Sequence, residues 1–180
     1  MMFTTFERAL NKIITILEEE DIDYMIVGGL AVSYHNRSRT TNDIDLVVQI
    51  YPRDVEKIID HFPEWKDHKD SFVESAKLGS LFNITDFETG IRYDFITYKD
   101  SDYNYCAFER REKVEFFGHS CWMISIEDLI LSKIQWYNIS QSEKQLEDLK
   151  FLLLDGDLNM EYIRSWVFNL QLKTYGLLGE

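Results

Sequence analysis

The stretch GGLAVSYHNRSRTTNDIDLVV, from Gly28 to Val48, contains the features that decide the fold. The apolar run YMIV comes directly before its two glycines, and Asp43 and Asp45 follow the second glycine after an interval of thirteen residues. Alternate residues of a strand point to the same face, so this spacing predicts that both carboxylates share one face while Ile44 and Leu46 face the core. Carboxylates in an apolar run are costly to bury without a positive group between them. The pattern therefore favours a metal site.

A third acidic candidate is Asp94, which lies inside the β-rich run IRYDFIT. If that strand lies beside the strand of Asp43 and Asp45, three carboxylates can hold one or two metal ions. Oxygen-only ligands suit Mg²⁺, which commonly takes one or two carboxylates together with substrate phosphates. A pair of such ions stabilises both the attacking and the leaving oxygen of a phosphoryl displacement. The third carboxylate would then be placed to accept the proton of an attacking hydroxyl.

The two glycines fit a phosphate site in the same region. Glycine lets a phosphate approach the backbone closely, and the amides of Gly28 and Gly29 could serve as donors. Taken alone, such a pair is more often a simple turn. The residues just before the aspartates add side chains that can neutralise or hydrogen-bond a triphosphate. These residues are Arg37, Arg39, Thr40 and Thr41.

Composition narrows the classes of function. The chain has 180 residues, 45% of them hydrophobic and 14% aromatic, which is enough to build a packed core. No apolar stretch approaches ~20 residues, and the N-terminal sequence lacks the layout of a signal peptide, so we expect a cytoplasmic protein with no membrane partner. The net charge of −13 disfavours non-specific binding of nucleic acid. Two cysteines and four histidines without metal-ligand spacing argue against a zinc site.

Periodicity predicts an α/β (α+β) fold with a mixed sheet and flanking helices. Strands are expected at 24–27, 43–50, 81–88, 91–98, 113–117 and 120–124. Helices are expected at 5–20, 30–35, 53–62 and 71–78, and then at 126–138, 143–154 and 160–170. We therefore predict a core of residues 1–124 and a C-terminal helical region of residues 125–180. Ser125, Ser142 and Asn159 are candidate N-caps of the three C-terminal helices.

The glycine pair, the Asp-x-Asp strand and the later strand aspartate together resemble the nucleotidyltransferase superfamily of the polymerase-beta type. The tract VGGLAVSYHNRSRTTNDIDLVV is similar to the small prokaryotic branch that includes the AbiEii-type toxins of abortive-infection systems. The resemblance covers about residues 24–98, and the helical tail is also similar to that branch. A glycine stands here where many polymerases have serine, so a side-chain contact to phosphate is replaced by the backbone.

The resemblance implies transfer of a nucleoside monophosphate from an NTP donor to an acceptor hydroxyl, with release of pyrophosphate. It makes Asp43, Asp45 and Asp94 the catalytic residues and the ligands of Mg²⁺ or Mn²⁺. It assigns nucleotide binding to Gly28, Gly29, Arg39, Thr40 and Lys133. The acceptor stays open between tRNA, a protein and a small molecule, and a cognate antitoxin is a further possible partner.

Other interpretations of the same residues remain open. A catalytically inactive scaffold of the same fold would bind nucleotide or a partner without turnover. Lys133 lies in an amphipathic helix, where a solvated or salt-bridged lysine is at least as common as a ligand. Lys144 and Asp148 have the spacing of a helical ion pair. Arg110 and Arg111 are expected on a helix surface, with binding of the acceptor as the lesser alternative.

Overall fold

A computed structural model describes residues 4–35 and 41–179 of the chain. The strands are β1 (Tyr24–Ile26), β2 (Asp43–Val48), β3 (Leu81–Thr85), β4 (Arg92–Thr97), β5 (Glu112–Phe116) and β6 (His119–Met123). The helices are α1 (Thr5–Glu19), α2 (Gly28–His35), α3 (Val55–Asp60), α4 (Lys69–Leu78), α5 (Asp102–Glu109), α6 (Ile126–Ser140), α7 (Glu143–Leu152) and α8 (Met160–Asn169). A 3-10 helix, Pro63–His68, precedes α4.

The six strands form one mixed sheet in the order β3-β4-β2-β1-β6-β5. β2 pairs antiparallel with β1 and parallel with β4, and β1 pairs parallel with β6. This topology brings the ends of β1 and β6 and the beginnings of β2 and β4 to the same edge of the sheet. Helices α2 and α6 begin at that edge, directly after β1 and β6. The predicted α/β class with a mixed sheet and flanking helices is confirmed.

One face of the central strands carries the core. Ile44, Leu46, Tyr93 and Phe95 are fully buried there, and the Tyr93 hydroxyl donates a hydrogen bond to the Ala9 carbonyl of α1 at 2.9 Å. The apolar face of α1 packs against this layer because its hydrophobic residues recur at helical spacing. The alternation along β2 leaves the side chains of its odd-numbered residues on the opposite face.

Most predicted elements are present with shifted ends. Strand 43–50 stops at Val48, and helix 53–62 shortens to Val55–Asp60. Helix α5 was not predicted, because DYNYCAFE lacks a clear apolar period. The sequence feature that could have indicated α5 is Ser101, the N-cap residue, whose hydroxyl accepts a hydrogen bond from the Asn104 amide.

Two of the three C-terminal helices have the predicted side-chain caps, whereas Ser142 precedes α7 without a capping hydrogen bond from its hydroxyl. The Ser125 hydroxyl accepts the Asp128 amide at the start of α6, and the Asn159 side chain accepts the Tyr162 amide at the start of α8. The division into a core of residues 1–124 and a helical region of residues 125–180 stays a prediction. Within the described part of the chain, no helix is long and apolar enough to cross a membrane.

Candidate active site

Strand register places the three aspartates predicted from the sequence together. In the parallel pair of β2 and β4, Asp45 lies opposite Asp94, and Asp43 lies opposite Arg92. Residues opposite each other in register, and residues two apart on one strand, point to the same side of a sheet. Four charged side chains therefore share one face at the edge where β2 and β4 begin. We call Asp43, Asp45, Arg92 and Asp94 the strand cluster.

Arg92 links the two strands of this cluster. Its Nη2 atom donates to Asp43 Oδ2 at 3.1 Å and to Asp94 Oδ2 at 2.8 Å. The hydrogen bond to Asp94 is the largest cause that raises the pKa of the Arg92 guanidinium above its ordinary value. Sequence reasoning did not single out Arg92, although its position two residues before Asp94 on a strand already placed both on one face.

The strand cluster carries more negative than positive charge. Its formal charge is −2, from three carboxylates and one guanidinium. Burial raises the pKa of Asp45 above its ordinary value, and the neighbouring charges of Asp43 and Asp94 raise it further. The Oδ1 atom of Asp94 is buried and has no hydrogen-bond partner among the described residues. Such an atom is costly to keep unless a ligand completes the site.

The glycine pair lies directly against Asp45. Gly28 has φ +64°, and a Cβ atom added there would lie 1.9 Å from Asp45 Oδ2, so a side chain has no room. The Gly29 amide donates to the same Asp45 oxygen at 3.4 Å. Gly28 also begins α2, whose N-terminal amides carry a partial positive charge. The glycines therefore fit both the close approach of Asp45 and a site for anions.

Lys133 is buried rather than solvated. It lies in α6 at 5% exposure and forms a 2.9 Å ion pair with Asp148 of α7, which is also buried. Its positive charge opposes, without cancelling, the rise in the pKa of Asp45, so the ammonium lies within electrostatic range of the strand cluster. The predicted helical ion pair between Lys144 and Asp148 is wrong, because the Asp148 carboxylate turns inward to Lys133.

The structure describes only part of the loop that precedes Asp43 and Asp45. Thr41 donates its hydroxyl to Asp43 Oδ1 at 2.6 Å, which orients that carboxylate. Arg37, Arg39 and Thr40, which were predicted as phosphate contacts, lie outside the described residues.

A second charged network lies at the start of α6. Arg110 donates from Nε to Asp128 Oδ2 at 3.0 Å and from Nη2 to Glu127 Oε2 at 2.8 Å. The Tyr162 hydroxyl donates to Asp128 Oδ1 at 2.7 Å, and the Ser125 hydroxyl donates to Asp128 Oδ2 at 2.6 Å. We call these five residues the α6 cluster. The prediction that Arg110 lies on a helix surface is wrong, since it follows α5 and ties that helix to α6.

Arg111 also lies away from a helix surface. Its guanidinium stacks over the rings of Phe108 and Trp122, with distances of 4.1 and 4.8 Å to the ring centroids. One nitrogen of the same group donates to Asp23 at 3.0 Å. These contacts explain Arg111 as a structural residue between α5, the β5–β6 hairpin and the loop before β1.

The donor chemistry of the strand cluster fits a divalent cation. Its carboxylate oxygens are the ligands that Mg²⁺ and Mn²⁺ prefer, and one of them is buried without a partner. Among residues 4–35 and 41–179, however, no three His, Cys, Asp or Glu side chains are arranged to hold a metal ion as they stand. The Arg92 guanidinium lies between two of these carboxylates, at 3.1 Å from Asp43 Oδ2 and 2.8 Å from Asp94 Oδ2.

The sequence from residue 4 to residue 179 matches the family described as "Nucleotidyltransferase of unknown function (DUF6036)". The chain belongs to this nucleotidyltransferase family. The match spans nearly the whole sequence and includes the strand cluster, the glycine pair and the C-terminal helices. No curated protein matches the sequence significantly.

Solved structures show the same fold at low sequence identity. The solution structure of the antibiotic-resistance factor ANT(2'')-Ia has a TM-score of 0.58 at 15% identity, covering 94% of this chain and 93% of its own. A crystal structure of ANT(2'')-Ia in complex with adenylyl-2''-tobramycin has a TM-score of 0.53 at 14% identity, covering 93% and 99%. An antigenic nucleotidyltransferase-like protein from Paracoccidioides brasiliensis has a TM-score of 0.53 at 15% identity, covering 91% and 86%.

Proposed function

We propose that this protein transfers a nucleoside monophosphate from an NTP to an acceptor hydroxyl, with release of pyrophosphate. The observation that carries the proposal is the register of β2 and β4, which gathers Asp43, Asp45 and Asp94 on one face beside the N-terminus of α2. Membership of the nucleotidyltransferase family supports the reaction class, EC 2.7.7.

Each part of the site has a chemical task in this reaction. Asp43, Asp45 and Asp94 would hold Mg²⁺ or Mn²⁺, which supplies charge neutralisation and polarisation of the phosphate when bound. The amides at the start of α2 point toward the same edge and would bind phosphate oxygens of the donor. Asp94, the third carboxylate of the cluster, would accept the proton of the acceptor hydroxyl.

Bond making and breaking then balance. The acceptor oxygen forms a bond to the α-phosphorus, the bond from that phosphorus to the β-phosphate oxygen breaks, and pyrophosphate leaves. Lys133 lies within electrostatic range of the cluster and is held by Asp148, so its charge can stabilise negative charge that develops on the phosphates. Gly28, Gly29, Arg39 and Thr40 complete the proposed donor site.

The net charge of the protein favours some classes of acceptor over others. At −13, the protein repels the phosphate backbone of RNA and attracts cations. This favours a cationic small molecule or a basic protein over tRNA as acceptor. The fold neighbour ANT(2'')-Ia, whose structure was solved with adenylyl-2''-tobramycin, supports the small-molecule choice.

Two further assignments depend on this activity. We propose a cytoplasmic location, which agrees with the free thiols of Cys106 and Cys121. An AbiEii-type toxin with a cognate antitoxin is the form of the proposal in which the acceptor is tRNA. Finding an antitoxin-like gene beside this one, and growth arrest relieved by its product, would support that form.

An inactive scaffold is the competing proposal. It is favoured by the spacing of the carboxylates, which are not arranged to hold a metal ion as they stand in the described residues. A scaffold would use the same face to bind a nucleotide or a partner without turnover. Metal dependence of binding separates the two proposals.

Calorimetry with non-hydrolysable analogues of the four NTPs, with and without Mg²⁺, tests the donor site. We expect binding of at least one analogue only with metal present, and loss of that binding in the Asp43→Asn, Asp45→Asn double variant. Asp60→Asn, which removes an exposed carboxylate that pairs with Lys66, serves as the control and should bind normally. Metal-independent binding would favour the scaffold, and no binding of any analogue would overturn the proposed activity.

A further inference from the structure

Arg92 occupies the space between the two strands that carry the aspartates. One nitrogen of its guanidinium, Nη2, is hydrogen-bonded to one carboxylate from β2 and to one from β4. The two oxygens that it contacts, Asp43 Oδ2 and Asp94 Oδ2, belong to different strands. A cation shared by these two carboxylates would need the same position.

The contacts around Arg92 differ in how freely they can move. The Arg92 side chain is 49% exposed, whereas the side chain of Asp94 is only 10% exposed. The arginine can therefore swing toward solvent without disturbing the core, while Asp94 stays fixed on its strand. Long arginine side chains keep such freedom because their charged ends are flexible at a surface.

The guanidinium also matches the chemistry of the proposed donor. Arginine binds phosphate through two parallel N–H donors, which makes it a better phosphate ligand than a point charge. A nucleoside triphosphate bound at the start of α2 would lie beside the strand cluster. It would offer Arg92 anionic oxygens in exchange for the carboxylates that it leaves.

We propose that Arg92 is an exchangeable counter-ion that couples metal binding to nucleotide binding. This inference rests on the proposed nucleotidyltransferase function and adds a specificity residue to it. Without nucleotide, Arg92 neutralises Asp43 and Asp94 and competes with a divalent cation for them. With nucleotide, the guanidinium moves to the triphosphate and the carboxylates become free for the cation. Metal alone is therefore bound weakly, and metal with nucleotide tightly.

The coupling predicts two opposite effects of one substitution. In Arg92→Gln we expect Mn²⁺ alone to bind about tenfold more tightly than in the wild type, because its competitor is gone. We expect the same variant to bind a non-hydrolysable NTP analogue about tenfold more weakly at saturating Mn²⁺, because a phosphate ligand is lost. A residue with a merely structural role would change both affinities in the same direction or neither.

The experiment follows free Mn²⁺ by electron paramagnetic resonance and nucleotide binding by calorimetry. Arg92→Lys keeps the positive charge and should bind Mn²⁺ alone about as weakly as the wild type. Arg53→Gln removes an arginine that is 80% exposed in the segment between β2 and α3 and should change neither affinity. Thermal melts of each variant confirm that it is folded.

The outcomes separate this inference from the function on which it rests. Tighter Mn²⁺ binding together with weaker nucleotide binding in Arg92→Gln supports it. If the wild type binds Mn²⁺ and nucleotide but Arg92→Gln binds Mn²⁺ equally or more weakly, the role of Arg92 is overturned and the proposed function stands. If the wild type binds neither ligand, the proposed function fails and the coupling fails with it.

Discussion

The α6 cluster and the strand cluster both place carboxylates around one arginine, and they differ in how completely their oxygens are paired. In the α6 cluster all four carboxylate oxygens of Glu127 and Asp128 accept hydrogen bonds, from Arg110, Ser125, Tyr162 and the Asn159 amide. In the strand cluster one buried oxygen of Asp94 has no partner among the described residues, and the guanidinium of Arg92 contacts only two of the three carboxylates, Asp43 and Asp94.

This difference separates a structural network from a candidate site. A buried polar network with every member paired holds its elements together and leaves no capacity for a ligand. An excess of negative charge that the fold does not neutralise is costly in itself, and such charges persist where function needs them. The comparison therefore assigns stability to the α6 cluster and ligand binding to the strand cluster, and mutation of each should affect a different property.

The largest effect is expected from a substitution in the strand cluster, and it concerns the rate of nucleotidyl transfer. Asp94→Asn keeps the shape of the side chain but removes the oxygen charge that we propose as proton acceptor. Loss of a general base typically costs about 10²–10⁴ in rate, so we expect nucleotidyl transfer to fall at least a hundredfold. The assay is release of pyrophosphate once a donor and an acceptor are found. Asp128→Ala is the control and should lose activity only in proportion to its loss of folded protein. Equal specific activity of Asp94→Asn and the wild type would contradict the assignment of Asp94 as proton acceptor.

The next largest effect is expected from a substitution in the α6 cluster, and it concerns the stability of the fold. Asp128 is fully buried and is contacted by Arg110, Ser125 and Tyr162. Asp128→Ala leaves those partners unsatisfied, and we expect the free energy of unfolding to fall by about 3 kcal/mol. Urea denaturation measures this change, and Asp60→Asn is the exposed control. A loss below about 1 kcal/mol would mean that the cluster contributes no more than a surface ion pair.

Gly28 connects the fold to the strand cluster. Gly28→Ala introduces a Cβ at positive φ and against Asp45 Oδ2, so both backbone strain and a clash follow. We expect the free energy of unfolding to fall by at least about 1–2 kcal/mol, together with weaker metal binding because Asp45 must move. Gly90→Ala is the matched control: it has φ +71° but open space around its Cβ, and it should lose stability without losing metal affinity.

Sequence patterns predicted the parts of the strand cluster that depend on local periodicity. Asp43, Asp45 and Asp94 each sit in a β-rich run, where a period of two determines the face. Arg92 obeyed the same rule but was overlooked, since no motif marks it. The partner of Lys133 could not be predicted, because Asp148 lies on another helix and only the packing of α6 against α7 brings them together. The same holds for Arg110, whose partners lie 17 and 18 residues later in the chain.

The smallest expected effect is a pH dependence of stability that comes from Asp45 in the strand cluster. Burial, followed by Asp43 and Asp94, raises the pKa of Asp45 in the folded protein above its ordinary value of 3.8. A carboxyl with a raised folded pKa stabilises the folded state fully only below its unfolded pKa, and that stability is lost as the pH rises through the folded pKa. In the presence of a chelator, Asp45→Asn should therefore melt above the wild type at pH 7. The difference should shrink toward pH ~4.

Thermal melts between these pH values, with and without Mn²⁺, complete the test. Because the wild-type carboxylate gains a counter-charge when metal binds, saturating Mn²⁺, which overcomes the competition from Arg92, should raise the melting temperature of the wild type and leave that of Asp45→Asn nearly unchanged. The order of the two proteins should then reverse on addition of metal. Asp60→Asn should follow the wild type in both conditions. If Asp45→Asn instead melts below the wild type at every pH without metal, Asp45 is a structural carboxylate like Asp128. The assignment of stability to the α6 cluster and of ligand binding to the strand cluster would then be wrong.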